Sequence, residues 1–176
     1  MQTKQPGFTL IELIITLAIA AILMSVAVPN YRIFVLNNRM ATQANDFITA
    51  IGLARSEAIK RGTRVSICKS ADSTNCTTSG NWAQGWIVFT DTGTVGAIGG
   101  TDEILQVHGP LDGGSSFIGN TTAINNNIAY GPSGYGALAG TVKLCPPSPA
   151  AVEGRDIVIS NTGRAHVLKP PATACP

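Results

Sequence analysis

Between Phe8 and Val28 the chain runs for 21 residues with a single charge, Glu12. At about 1.5 Å per residue, a helix of that length reaches roughly 30 Å, the thickness of a bilayer's hydrocarbon core. Lys4 precedes the run and Arg32 follows it. A secretory signal peptide has a shorter apolar core and closes on a small-residue cleavage site. Here Ala27-Val28-Pro29 follows a core too long for that, and the helical pattern carries on beyond it. A plain anchoring helix accounts for the length but not for Glu12. A charge at the centre of a membrane helix costs on the order of 3 kcal/mol, less near the interface, and is generally partnered. The run therefore predicts a membrane helix whose carboxylate has something to meet.

Gly7-Phe8-Thr9-Leu10-Ile11-Glu12-Leu13 resembles the type III signal of type IV pilins and type II secretion pseudopilins. The short polar stretch Met1 to Pro6, the apolar run and Pro29 fit the same pattern. The resemblance implies a leader, residues 1–7, that a prepilin peptidase removes by cutting after Gly7. The same enzyme would methylate the new amino terminus at Phe8. Glycine at the cut lets a protease approach the backbone closely, because there is no Cβ in the way. Residues 8–28 would then be the transmembrane and filament-core helix. In such filaments the carboxylate at the position of Glu12 is thought to meet the amino terminus of a neighbouring subunit, which accounts for a buried charge.

Beyond Pro29 the helical period persists. Ala44, Phe47, Ile48, Ile51, Ala54, Ala58 and Ile59 recur at three- and four-residue steps and form one apolar face, while Asp46, Arg55, Glu57 and Lys60 fall largely off it. Gly62 suits the C-terminal cap, and Lys60 and Arg61 suit the negative helix end. The expectation is an amphipathic helix over 29–62, bent or loosened at Pro29 and the Asn37-Asn38 pair. From residue 63 to 176 the period changes. Nineteen Gly and ten Pro indicate many tight turns. Arg64–Cys68, Gly85–Thr90, Glu103–His108, Asn127–Tyr130, Gly140–Cys145, Asp156–Ser160 and Arg164–Leu168 read as strands. Asn161-Thr162-Gly163 reads as a three-residue hairpin loop, and Thr92–Gly100 as a mobile loop. The fold class is α+β: a long N-terminal helix, half membrane and half amphipathic, packed on a C-terminal antiparallel β domain.

Val65-Ser66-Ile67-Cys68, Cys76 and Trp82-Ala83-Gln84-Gly85-Trp86-Ile87-Val88-Phe89 resemble the FimT/FimU minor pilins, which share a fold with the GspH pseudopilin. Trp82 and Trp86 are read as core packing rather than as stacking platforms for a ligand. Four cysteines in an exported domain suggest two disulfides, with three pairings open. Cys68–Cys76, closing a small loop, and Cys145–Cys175, pinning the C-terminal tail, are favoured. No C-x-x-C or H-x-x-x-H spacing points to a metal, no G-x-S-x-G to a nucleophile elbow, and Gly131–Gly140 lacks the lysine of a P-loop. His108 and His166 have no evident catalytic company. The reading is of a non-enzyme with no cofactor and no metal.

Charged residues are only 12% of the chain, against a usual quarter, and the net charge of +2 indicates no polyanionic partner by itself. The distribution is more telling. Residues 29–64 carry +4, 65–140 carry −4 and 141–176 carry +2. Some FimT-like minor pilins are DNA receptors that use a Gly-Arg-x-Arg element in the last hairpin. Here the sequence is Gly163-Arg164-Ala165-His166, so the first Arg matches and the second is replaced by His166, largely neutral at pH 7. Arg164, His166, Lys169 and Lys143 are the candidate contacts to double-stranded DNA; the alternative is that Arg164 is a solvated strand residue after a turn. The resemblance implies a minor pilin that primes or caps a type IV pilus, working with other major and minor pilins and with prepilin peptidase. It would sit in the bacterial inner membrane as a single-pass protein with a periplasmic domain, and at the cell surface once assembled. The alternatives are a DNA receptor in natural transformation and a GspH-like pseudopilin of a type II secretion system.

Overall fold

A computed structural model describes residues 7–136, 138–148, 152–169 and 175. The expected leader, Met1 to Pro6, lies outside them. The chain divides into two compact units, residues 1–36 and 37–176, and each is described by itself. One helix, α1 (Leu10–Arg61), contributes to both and runs unbroken through Pro29. Asn30 Nδ2 donates to the Val26 carbonyl at 2.9 Å. The helix ends where Gly62 adopts φ +65, its N–H donating to the Ala58 carbonyl. A left-handed residue after the last turn closes a helix, and glycine takes it without strain.

In the second unit the helix buries Met40, Gln43, Ala44, Phe47, Ala50, Ile51, Ala54 and Ala58. This stripe includes five of the seven positions expected from periodicity. Ile48 is only half-buried and Ile59 is 53% exposed, because both sit at the margin of the face.

Against the stripe stand two antiparallel sheets. The first comprises β1 (Val65–Lys69), β2 (Trp86–Thr90), β3 (Ile104–His108) and β5 (Asn127–Tyr130), in the order β3-β2-β1-β5. The second comprises β4 (Ser116–Gly119), β6 (Gly140–Cys145), β7 (Arg155–Ile159) and β8 (Ala165–Leu168), in the order β4-β6-β7-β8. A one-turn helix, α2 (Thr122–Asn126), capped by Thr121, links β4 to β5. Phe47 joins the two sheets to the helix. Its ring stands edge-on to Trp82 and Trp86, at centroid distances of 5.1 Å each, and to Phe117 of β4 at 4.7 Å. Both tryptophans are fully buried, and Trp82 Nε1 donates to the Ile124 carbonyl at 3.2 Å.

The other face of the first sheet has its own small core. Cys68, Ile87 and Phe89 are covered there by Cys76 and Ile98. The segment 92–100, expected as a mobile loop, is bridged at both ends by hydrogen bonds to carboxylates. Asp91 accepts from the Gly96 N–H, and Asp102 accepts from the N–H groups of Thr92 and Gly99. The buried Asp91 carboxylate also takes the Arg64 guanidinium at 2.8 Å and the Ser66 hydroxyl.

The β7–β8 loop is Asn161-Thr162-Gly163, with Gly163 at φ +75 and the Ser160 N–H bonded to the Arg164 carbonyl. Tyr130 Oη donates to the Gly163 carbonyl at 3.0 Å, tying the two sheets together. Burial pushes the Tyr130 phenol up to about 12, partly opposed by the nearby Arg55 charge. A raised pKa means that the folded chain keeps a proton the unfolded chain releases near pH 10. Stability is therefore full below about pH 10 and falls between about 10 and 12, by roughly 2–3 kcal/mol from this group. Urea unfolding from pH 8 to 12, followed by tryptophan fluorescence, should show that fall. Tyr130→Phe should be less stable at pH 8 yet lose less above pH 10; an equal loss in both proteins would assign the fall to other groups.

Candidate functional site

Among the described residues of the first unit, exposed Gly7 and Phe8 come first, followed by a helix N-terminus of defined chemistry. Thr9 occupies the cap position. Its hydroxyl accepts from the Glu12 N–H at 3.3 Å, and Glu12 Oε2 accepts in return from the Thr9 N–H and hydroxyl, both at 3.3 Å. This is a reciprocal capping box, in which Thr and Glu three residues apart satisfy donors that the first helical turn leaves free. Sequence reading assigned Glu12 to a neighbour's amino terminus and passed over its partner inside the chain; the Thr-x-x-Glu spacing was the available signal. From Leu10 to Val28 every side chain is exposed except half-buried Ala20. Such a surface is long and apolar enough to cross a membrane.

In the second unit Cys68 is bonded to Cys76, with Cα atoms 5.5 Å apart, and Cys145 to Cys175, with Cα atoms 5.7 Å apart. The first closes the loop after β1. Lys69, whose side chain is fully buried, holds the same loop by donating to the carbonyls of Thr78 and Gly80 at 3.1 and 3.0 Å. Burial without a carboxylate pulls this ammonium below the usual lysine range.

The four candidate DNA contacts lie in or immediately beside strands of the second sheet. Lys143 lies in β6 opposite Asp156 of β7, and His166 lies in β8 opposite Val158. Because Val142, Leu144, Ile157 and Ile159 are buried, alternation puts Lys143, Asp156 and His166 on the opposite, outer face of the second sheet. Lys169 Nζ is 2.9 Å from Glu153. Arg164 is also among the residues that line a groove between α1 and the β7–β8 loop, with Ile48, Ile51, Gly52, Arg55, Gly163 and Ala165. Sequence reading left Arg55 on a solvated helix face. No local pattern could have joined it to a residue more than a hundred positions away.

A family model described as type II transport protein GspH matches residues 43–163, and one described as the prokaryotic N-terminal methylation motif matches residues 2–28. The type IV major fimbrial protein FimA of Dichelobacter nodosus (strain VCS1703A) is 32% identical over 93 residues, 53% of this chain and 49% of that protein. The chain thus spans about half the length of the first curated relatives it matches. Among solved structures, the type IV minor pilin FimU of Pseudomonas aeruginosa aligns at a TM-score of 0.60 with 18% identity, over 81% of this chain and 96% of that one. The minor pseudopilin EpsH from the type 2 secretion system of Vibrio cholerae aligns at 0.55 with 15% identity, over 76% and 98%. At these identities the likeness is one of fold, the type IV pilin-like arrangement of a long helix before antiparallel sheets. With its matched region extending over both sheets and the methylation motif placed at the start of its apolar helix, the chain belongs to the GspH family.

Proposed function

We propose that the chain is a minor pilin, a structural subunit that primes or caps a type IV pilus through packing of its N-terminal helix. The observation that carries this reading is the Thr9–Glu12 box at the head of a fully exposed apolar helix. Such a helix needs either lipid or other helices around it, and its single carboxylate sits where a neighbour's charged amino terminus could take it over. In this reading prepilin peptidase cuts after Gly7 and methylates Phe8. The chain waits in the inner membrane with its β domain in the periplasm, and it reaches the surface in the filament.

Mass spectrometry of filaments sheared from cells is the direct test. The expected product starts at Phe8 and carries one extra methyl group; a chain that retains residues 1–7 and never enters the filament fraction would overturn the proposal. A second reading, a pseudopilin of a type II secretion system, is favoured by the family match and by the fold shared with EpsH. A deletion strain that keeps its pili but stops exporting folded proteins would support it. The DNA-receptor reading draws less support, because Asp156 stands opposite Lys143 and Glu153 pairs with Lys169, two of its four candidate residues. Neutralising carboxylates of this kind reduce the number of phosphates a surface can engage.

A further inference from the structure

Resting on the pilin-type reading, we infer that the groove between α1 and the β7–β8 loop is a docking site for a neighbouring pilin-type subunit. The segment it takes has an apolar side chain beside a carboxylate. The groove has a volume of about 330 Å³, room for a few side chains, and its walls include Ile48, Ile51 and Ala165. Arg55 and Arg164 line it as well. Neither guanidinium meets a carboxylate among the described residues, whereas Lys60, Arg61, Arg64 and Lys169 each do. Two arginines among the residues lining an apolar hollow, neither with a counter-charge among the described residues, favour an anion that arrives with apolar surface attached.

The surroundings extend the same chemistry. A Cβ at Gly134 would lie 2.7 Å from Ile59 Cδ1 and 3.4 Å from Arg55 Nε, so the 131–135 turn packs against the rim. There Ile59 is 53% exposed and Tyr135 61% exposed. Arginine and tyrosine around a small apolar pocket are the residue types that dominate binding energy at protein interfaces. A polyanion would need a line of free cations instead, and the flanking Lys60, Arg61 and Lys169 are already paired.

The test uses the full chain in its own membrane, with photoreactive p-benzoylphenylalanine in place of Ser56, exposed and one turn beyond Gly52. A second probe at Leu17 reports helix packing. Expected is a Ser56-probe adduct with another methylation-motif subunit, mapped to a peptide containing Asp or Glu. Arg55→Glu combined with Arg164→Glu should cut its yield at least tenfold. Gly52→Leu should do the same by filling the groove, since a Cβ at Gly52 meets nothing within 4 Å and no native contact is lost. Lys60→Gln should leave the yield unchanged. An adduct to nucleic acid, an adduct peptide without a carboxylate, or a yield indifferent to both Gly52→Leu and the arginine reversals would each overturn the proposal. Adducts from Leu17 but none from Ser56 would overturn the groove alone; none from either would overturn the pilin-type reading with it.

Discussion

Cells carrying Glu12→Ala are expected to lose the subunit from sheared filaments, by a hundredfold or more, while its level in the membrane stays near normal. Leaving a neighbour's amino terminus buried without its counter-charge costs on the order of 3–5 kcal/mol, which is ample for that loss. The capping box complicates this substitution, because Ala also removes the acceptor for the Thr9 N–H and hydroxyl. Glu12→Gln separates the two roles. Glutamine serves as well as glutamate in a capping box, yet it has no charge to offer a neighbour. The expected order is therefore wild type far above Gln, with Gln close to Ala. Thr9→Val, which weakens the cap by about 1 kcal/mol, should reduce incorporation less than tenfold. Recovery of filaments in Glu12→Gln would mean that the carboxylate works as a helix cap and not as a partner for another chain. Quantitative immunoblots of sheared and membrane fractions decide between them.

Phe47→Ala should be the most damaging single change in the second unit, lowering unfolding free energy by about 3–5 kcal/mol. The ring is fully buried and touches Trp82, Trp86 and Phe117, so its loss opens a cavity shared by the helix and both sheets. Edge-on aromatic pairs add roughly 0.5–1.5 kcal/mol beyond their buried area. Phe47→Leu keeps most of the volume but not those pairs and should cost about half as much. The two tryptophans at the site make intrinsic fluorescence a direct probe. Urea titration of the full chain in detergent should give a midpoint well below wild type for Ala and an intermediate one for Leu. A change under about 1 kcal/mol for Ala would show that the two sheets hold together without the helix between them.

The elements with strong periodicity were legible. The apolar run, the helical stripe through Phe47 and seven strands follow from spacing and turn residues. The β4 strand was not, because Ser116-Phe117-Ile118-Gly119 is too short to alternate and is flanked by Ser115 and Asn120, which read as turn residues. Its absence from the reading also concealed the division into two sheets, since β4 forms one edge of the second. The segment after Asp91 looked loose for a related reason. Its order comes from carboxylates at its two ends, Asp91 and Asp102, taking backbone N–H groups, and glycine-rich composition carries no trace of that. The basic residues near the C-terminus could be counted but not sorted. Only strand register sets Lys143 beside Asp156, and only tertiary folding brings Arg164 to the helix while Lys169 turns to Glu153.

The small core on the outer face of the first sheet bears on how the protein is made. Its cover is fastened by the bond between Cys68 and Cys76, which cytosolic thiols do not sustain. A chain that folds before export, or in the cytosol of a production host, assembles the helix, both sheets and the cluster around Phe47. Segment 70–80 then keeps its hydrogen bonds, those from Lys69 to the Thr78 and Gly80 carbonyls and the backbone bonds of Ser70 and Thr77 among them, but loses its covalent tie to β1. In the pilin-type reading, maturation is expected to run in two stages, packing first and oxidation second. Preparations from reducing and oxidising compartments should share a far-ultraviolet spectrum while differing in how readily a protease cuts after β1.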